Sequence, residues 1–213
     1  MKTIVEVTGL NKSFGSHQVL KDVSLKVEES DFYIITGQSG FGKSTLLNII
    51  GLLDTFDSGK ITLFGSDIPK PFSRKAEKLL KDKIGYLFQN FALIDNETVK
   101  YNLELIMSKK NKDNTVQIHE ALKKVGLEGY ENKHIYECSG GEQQRIALSR
   151  LLLKPCELIL ADEPTGSLDP VTKEEIVELL LELKHLGKTI IMVTHDEALL
   201  KYATKRLELS VVR

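Results

Sequence analysis

The fold class this sequence predicts is a mostly parallel α/β sheet with a β-rich edge and an inserted helical lobe, on three observations. Short apolar runs alternate with helix-compatible segments toward both ends of the chain. A glycine-rich loop follows one of those runs and opens a helix-compatible segment. The stretch from Asn90 to Cys138 holds no strand signal of comparable strength.

In chain order, Ile4, Val5 and Val7 form a short apolar strand segment, and Val23, Leu25 and Val27 alternate with polar residues as in a half-buried strand. Residues 31–36 (DFYIIT) are a continuous apolar run ending at Gly37, the pattern of a strand covered on both faces. Residues 43–50 are helix-compatible and stop at Gly51, and 61–64 and 84–88 read as further strands. Residues 98–107, 115–125 and 141–153 read as helices; in the second, Val116, Ile118, Ala121, Leu122 and Val125 follow the helical period approximately. The α/β pattern then resumes, with a strand at 158–161, a helix at 171–184 and a strand at 189–193. The expected organisation is one domain over 1–213, with 1–89 and 154–213 building the sheet core and about 90–153 the helical lobe.

Composition narrows the classes. The 213 residues are 41% apolar, enough for a substantial core, and the formal net charge of -1 does not indicate a nucleic-acid-binding surface. Residues 70–83 are locally basic through Lys70, Arg74, Lys75, Lys78, Lys81 and Lys83; a solvated helix face is the first reading and contact with an anionic membrane surface the second. No apolar run approaches the roughly 20 residues of a spanning helix, and the N-terminus carries Glu6 and Lys12 instead of a signal-peptide core, so a cytosolic chain that reaches a membrane through a partner is expected. Cys138 and Cys156 are the only cysteines and are expected to be reduced and structural. The histidines at 17, 119, 134, 185 and 195 lack zinc-ligand spacing, so no transition-metal site is expected.

The chemistry sits in two segments. Gly37, Gln38, Ser39, Gly40, Phe41, Gly42, Lys43 and Ser44, followed by Thr45, fit G-x-x-x-x-G-K-[ST]. Glycines let successive backbone N–H groups converge on phosphate oxygens, and the helix N-terminus adds favourable partial charge. Lys43 is expected to reach the β- and γ-phosphates and Ser44 to offer its hydroxyl oxygen to Mg²⁺. The second segment is the apolar run from Leu158 to Ala161, which runs into Asp162 and Glu163 and so presents two carboxylates at a strand's carboxyl end, where ligands bind in open α/β sheets. Asp162 is the candidate Mg²⁺ holder, through water, and Glu163 the group that polarises the attacking water.

These two segments define a P-loop NTPase, and four further stretches resemble one family of them. Residues 138–145 (CSGGEQQR) look like the ABC signature motif, 161–169 (ADEPTGSLD) like the Walker B segment and D-loop, 193–196 (VTHD) like the switch-histidine loop, and 88–90 (FQN) like the Q-loop, all in the family's order. The chain is therefore similar to ATP-binding subunits of ABC transporters. That resemblance implies a RecA-like core, ATP hydrolysis with Mg²⁺, and two copies sandwiching two ATP molecules head to tail. It places Ser139, Gly140 and Gly141 against the γ-phosphate held by the other copy, and His195 on that same phosphate. Gln89 falls beside the attacking water or Mg²⁺, Asp169 between the two composite sites, and Phe14 against adenine. Cys138 stands where the family usually has Leu, Glu142 where Gln is common and Ser30 where Gly is frequent, and bulky Phe41 falls at a variable position of the loop. The LADEPTG stretch is similar to the lipoprotein-release, macrolide-efflux and cell-division group, and the whole chain to bacteriocin or peptide export ATPases. The resemblance implies a separate membrane permease as partner, with the ATPase peripheral on the inner face of the membrane. The alternative is the ATPase of a mechanotransmission complex that controls cell-wall enzymes without moving cargo. A soluble ABC ATPase acting on DNA or ribosomes is disfavoured, because neither a coiled-coil insertion nor a second cassette is visible.

Overall fold

The computed structural model describes residues 2–107, 114–166 and 168–210. Two sheets carry the fold. The antiparallel one contains β1 (Thr3–Phe14), β2 (His17–Glu28), β4 (Ser58–Leu63) and β5 (Ser66–Asp67) in the order β2-β1-β4-β5. The parallel one contains β3 (Phe32–Thr36), β6 (Ile84–Leu87), β7 (Leu158–Asp162), β8 (Thr189–Val193) and β9 (Lys205–Glu208) in the order β6-β7-β8-β3-β9. Helices α1 (Lys43–Ile50), α2 (Arg74–Asp82), α3 (Val99–Glu104), α4 (Thr115–Lys124), α5 (Gly140–Leu153) and α6 (Pro170–His185), with short 3₁₀ helices at Ile135–Glu137 and Glu197–Tyr202, complete the regular structure of the described residues.

The continuous apolar runs of the parallel strands follow from burial on both faces. Successive side chains on a strand point to opposite sides. Phe32 and Ile34 of β3, Ile190 and Met192 of β8, and Ile159 and Ala161 of β7 enter one core with α3–α6. Tyr33 and Ile35, Ile191 and Val193, and Leu158 and Leu160 enter a second core with α1 and the antiparallel sheet. Each fully buried Leu or Ile contributes roughly 1.5–3 kcal/mol.

Register fixes where the strands end. Ile35 pairs with Val193, Asp162 with Val193, and Leu87 with Ala161, so β3, β6, β7 and β8 finish at one common edge. Residues 37–42, Gln89, Glu163 and His195 all follow directly from that edge.

Several helix starts are written in polar side chains. Ser139 caps α5 and forms a capping box with Glu142; Asp169 caps α6, with Pro170 at the first helical position. Thr98 caps α3, and Ser73 caps α2, which occupies the basic stretch. Among the described residues, the segment from Asn90 to Cys138 carries no strand and only an isolated bridge between Thr98 and His134. The two strands of the opening hairpin are longer than their apolar signals, at 12 residues each, and β5 and β9 carry no signal of their own. Ser30 takes a left-handed φ of 63° at the turn into β3, a conformation glycine adopts without steric cost. Cys138 and Cys156 are both free and buried. No helix among the described residues is long and apolar enough to cross a membrane.

Candidate active site at the sheet edge

At the carboxyl edge lies a cavity of about 730 Å³ lined by Phe14, His17, Val19, Gln38, Ser39, Gly40, Gly42, Lys43, Ser44, Thr45, Gln89, Glu163, Gly166 and His195. Its floor is the loop between β3 and α1. Gly37, Gly40 and Gly42 all have positive φ, of 141°, 85° and 79°, and Gly42 forms the start of α1 without a side-chain cap. Lys43 is largely buried, and its ammonium donates to the carbonyls of Gly37 at 2.7 Å and Gln38 at 3.0 Å, which holds the charge inside the loop's curl. Phe41 points elsewhere: it packs half-buried against the second core and does not line the cavity.

Gly37 is required by space as well as by φ. A Cβ there would stand 2.5 Å from the backbone oxygen of Leu209, whose own N–H donates to Thr36 O at 2.9 Å and is not free to retreat. Gly37→Ala is expected to cost about 1–3 kcal/mol in backbone strain, with that clash in addition. Gly40→Ala meets nothing within 4 Å and is expected to cost the conformational part alone. Thermal unfolding of the two variants reads the difference, and equal losses would contradict the close approach.

The acidic wall comes from β7. The Ser44 hydroxyl donates to Asp162 Oδ1 at 3.0 Å, joining the helix start to the strand end. Burial pushes the Asp162 carboxyl above its ordinary range, against the opposing pull of the Ser44 hydroxyl, so a cation beside it would be welcome. The donors here are hard oxygens, and among the described residues no group of three or more His, Cys, Asp or Glu forms a metal cage. One carboxylate and one hydroxyl beside a phosphate-binding loop is the donor set that suits Mg²⁺, which usually draws its remaining ligands from water and phosphate.

Glu163 adopts a left-handed φ of 46°, rare for a residue with a side chain, and its N–H donates to Val193 O at 3.0 Å. Its Oε2 lies 3.0 Å from His195 Nδ1, at ion-pair distance but unaligned for hydrogen bonding, and is buried with no hydrogen-bond partner. An orphaned carboxylate oxygen on a cavity wall is costly unless a polar group reaches it. Phe14 is half-exposed at the far end, with Lys12 Nζ 4.8 Å from its ring centroid; that ammonium is held by Asp54 Oδ1 at 3.0 Å and Thr55 O at 2.7 Å.

Ser139, Gly140, Gly141 and Asp169 do not line this cavity. Ser139 and Gly140 are exposed at the start of α5, and a Cβ on Gly141 would touch Thr172 Cγ2 at 2.8 Å, so the start of α5 lies against the first turn of α6. The Asp169 carboxylate accepts from Val171 N, Thr172 N and Thr172 Oγ1. Glu142 accepts from Tyr130 Oη at 2.6 Å and Ser139 N at 2.6 Å, and these donors, the Tyr130 hydroxyl foremost, hold its carboxyl at about 2. Ser167 lies outside the described residues. Sequence reading missed His17, Val19 and Gly166 as lining residues. The first two lie three and five positions beyond Phe14 at the start of β2, and only a hairpin register would have placed them at the cavity.

A parallel sheet with a phosphate-loop lysine and a carboxylate pair at its edge defines the P-loop ATPase class. The chain belongs to the ABC transporter family, whose model matches residues 20–166, and it is an ATP-binding cassette of that family, an ATPase. It is 41% identical over 213 residues to the macrolide export ATP-binding/permease protein MacB of Mannheimia succiniciproducens, covering 97% of this chain and 33% of that protein. The chain thus spans about a third of the length of the MacB relatives it matches. It is 39% identical over 200 residues to the lipoprotein-releasing system ATP-binding protein LolD of Porphyromonas gingivalis, covering 92% of this chain and 91% of that one. Among solved structures, the dimeric post-hydrolysis cassette MJ0796 bound to ADP and Pi superimposes with a TM-score of 0.88 at 35% identity, over 97% of this chain and 94% of that one.

Proposed function

We propose that this cassette hydrolyses ATP as a head-to-tail homodimer and powers export through a membrane permease subunit, on whose cytoplasmic side it docks. The observation that carries the chemistry is the buried Oε2 of Glu163, without a hydrogen-bond partner, on a cavity lined also by Lys43 and by Ser44, whose hydroxyl donates to Asp162 just behind it. In this reading the loop N–H groups and Lys43 hold the β- and γ-phosphates, and Phe14 lies against the adenine ring. Ser44 and Asp162 hold Mg²⁺, with Gln89 beside them; the ion neutralises charge on the phosphate oxygens. Glu163 orients the attacking water and accepts its proton, and His195 contacts the γ-phosphate next to it.

The sandwich rests on Ser139, Gly140 and Gly141. They offer a hydroxyl and N–H groups at an exposed helix start but stand outside their own chain's cavity, which suits them to the phosphate of a second copy. Asp169, capping α6 beside Gly141, connects the two sites. The dimeric MJ0796 cassette supports the assembly, and the names of the MacB and LolD relatives support export or release and favour it over a cargo-free mechanotransmission role.

Ser139→Arg tests the sandwich. The variant is expected to keep its circular dichroism, since position 139 is exposed, to lose about 0.5–2 kcal/mol of stability with the α5 cap, and to lose cooperative ATP hydrolysis, since the added side chain would block closure on the opposite nucleotide. Normal turnover by the folded variant, measured with the permease present, would rule the sandwich out.

A further inference from the structure

One ion pair ties the loop that carries His195 to the helix that starts beside the signature motif. Asp196 Oδ1 accepts from Ala198 N at 2.9 Å, capping the short 3₁₀ helix that follows. Its Oδ2 accepts from Lys173 Nζ at 2.5 Å. Lys173 belongs to the first turn of α6, where its N–H makes the helix's opening bond to Asp169 O at 2.9 Å. The two side chains are only 31% and 23% exposed, so this pair is better shielded than an ordinary surface bridge, whose contribution is small. Lys173 hydrogen-bonding is also the main cause holding the Asp196 carboxyl below its usual range.

The pair closes a physical circuit. At one end Gly141 lies against Thr172, the residue before Lys173. At the other, His195 is bonded in sequence to Asp196 and stands 3.0 Å from the unpartnered Glu163 Oε2. Without the ammonium, Asp196 would keep its cap but lose its hydrogen bond to α6, and the His195 loop would be held by the sheet and by the apolar packing of Leu199 farther along the chain.

We propose that Lys173 is a positioning residue for hydrolysis: through Asp196 it sets the His195 loop against Glu163 and couples it to the start of α6, so that closure of a second copy on α5 and α6 is felt at the water-activating carboxylate. This rests on the roles of Glu163 and His195 given above. A lysine acting in this way changes turnover and leaves nucleotide binding alone, because it touches neither the phosphate loop nor the cavity wall.

The test uses Lys173→Met, which keeps the aliphatic stem and removes the charge, with Lys173→Arg, Asp196→Asn and the Lys173→Met/Asp196→Asn double variant, all in the full chain. Lys173→Met is expected to lower kcat about tenfold with KM and ATP affinity within about twofold of wild type, Lys173→Arg to recover most of the loss, and the double variant to fall no further than the worse single one, as for residues acting as a unit. Wild-type kcat per folded molecule in Lys173→Met, even with a lowered thermal midpoint, would overturn the proposal and leave the pair a stability element. Additive losses in the double variant would also overturn it. Should Lys173→Met fail to fold, Asp196→Asn against Lys173→Arg carries the same comparison. Glu163→Gln is the control: normal turnover there defeats the underlying assignment, whereas an inactive Glu163→Gln beside a fully active Lys173→Met defeats this inference alone.

Discussion

Glu163→Gln is expected to slow ATP turnover about 10²–10⁴-fold, the usual loss when a positioned general base is removed, while making the ATP-bound dimer more populated. The substitution is nearly isosteric, so the left-handed backbone at 163 and the N–H donated to Val193 O are kept. What changes is the oxygen that faces His195 without a hydrogen-bond partner: the amide can orient a water but cannot take its proton. Lys43, Ser44 and Asp162 are untouched, so nucleotide should still bind, and with hydrolysis stalled it should accumulate between two chains. Phosphate release and size-exclusion chromatography with Mg²⁺ and ATP measure the two halves, at low salt or with the permease to retain the dimer. Near-normal phosphate release would reject the base assignment, and loss of ATP binding would make Glu163 a ligand.

Lys43→Ala is expected to produce the opposite pattern, with nucleotide affinity falling about 10²-fold or more and hydrolysis falling with it. Hydrogen bonds to charged groups contribute roughly 1.5–3 kcal/mol each, and Lys43 is the cation that the loop holds within its curl. Two carbonyls, of Gly37 and Gln38, also lose the donor they accept from. Titration with a fluorescent ATP analogue reads the affinity, and circular dichroism establishes that the fold survives. Wild-type affinity in a folded Lys43→Ala would remove the loop from the site.

The parts legible in the sequence are those where local pattern and tertiary role coincide. β3, the glycine loop and α1 could be read because burial on both faces makes the strand continuously apolar and the loop's positive φ values require glycine. Asp162 and Glu163 could be read because an apolar strand ends on them. The start of α5 was marked by Ser139, whereas the cap that Asp169 provides for α6 emerges only in the structure. The strand β9, Lys-Arg-Leu-Glu, was not legible: it sits at the sheet's edge with alternating half-exposed and exposed residues, and only its pairing with β3 makes it a strand. His17 and Val19 reach the cavity through the β1–β2 pairing, whose register shifts repeatedly between Thr3 and Ser13. Phe41 lies within the motif, and its apolar ring packs half-buried against the second core, a placement that its position in the loop does not signal. Lys173 carries no signal, since a lysine on a helix reads as solvated until the loop carrying Asp196 is folded against it.

The common finishing line of β3, β6, β7 and β8 also governs how the protein gains its activity during folding. Phe32 must meet Ile190, and Ile84 must meet Leu158, before any of the four strand ends is fixed relative to the others. Such distant pairings are formed late and at a high entropic cost. A slip of β7 by a single residue would turn Asp162 to the other face of the sheet, because side chains alternate, and would displace Glu163 from the strand end. No fragment of the sheet can therefore hold a competent site, and nucleotide acts as a clamp on the whole assembly. At about one hundred times its dissociation constant it adds about 2.7 kcal/mol to the native state, and that stabilisation is shared by elements as far from the phosphates as the amino ends of the same strands, since none of them can open without dismantling the edge that binds it.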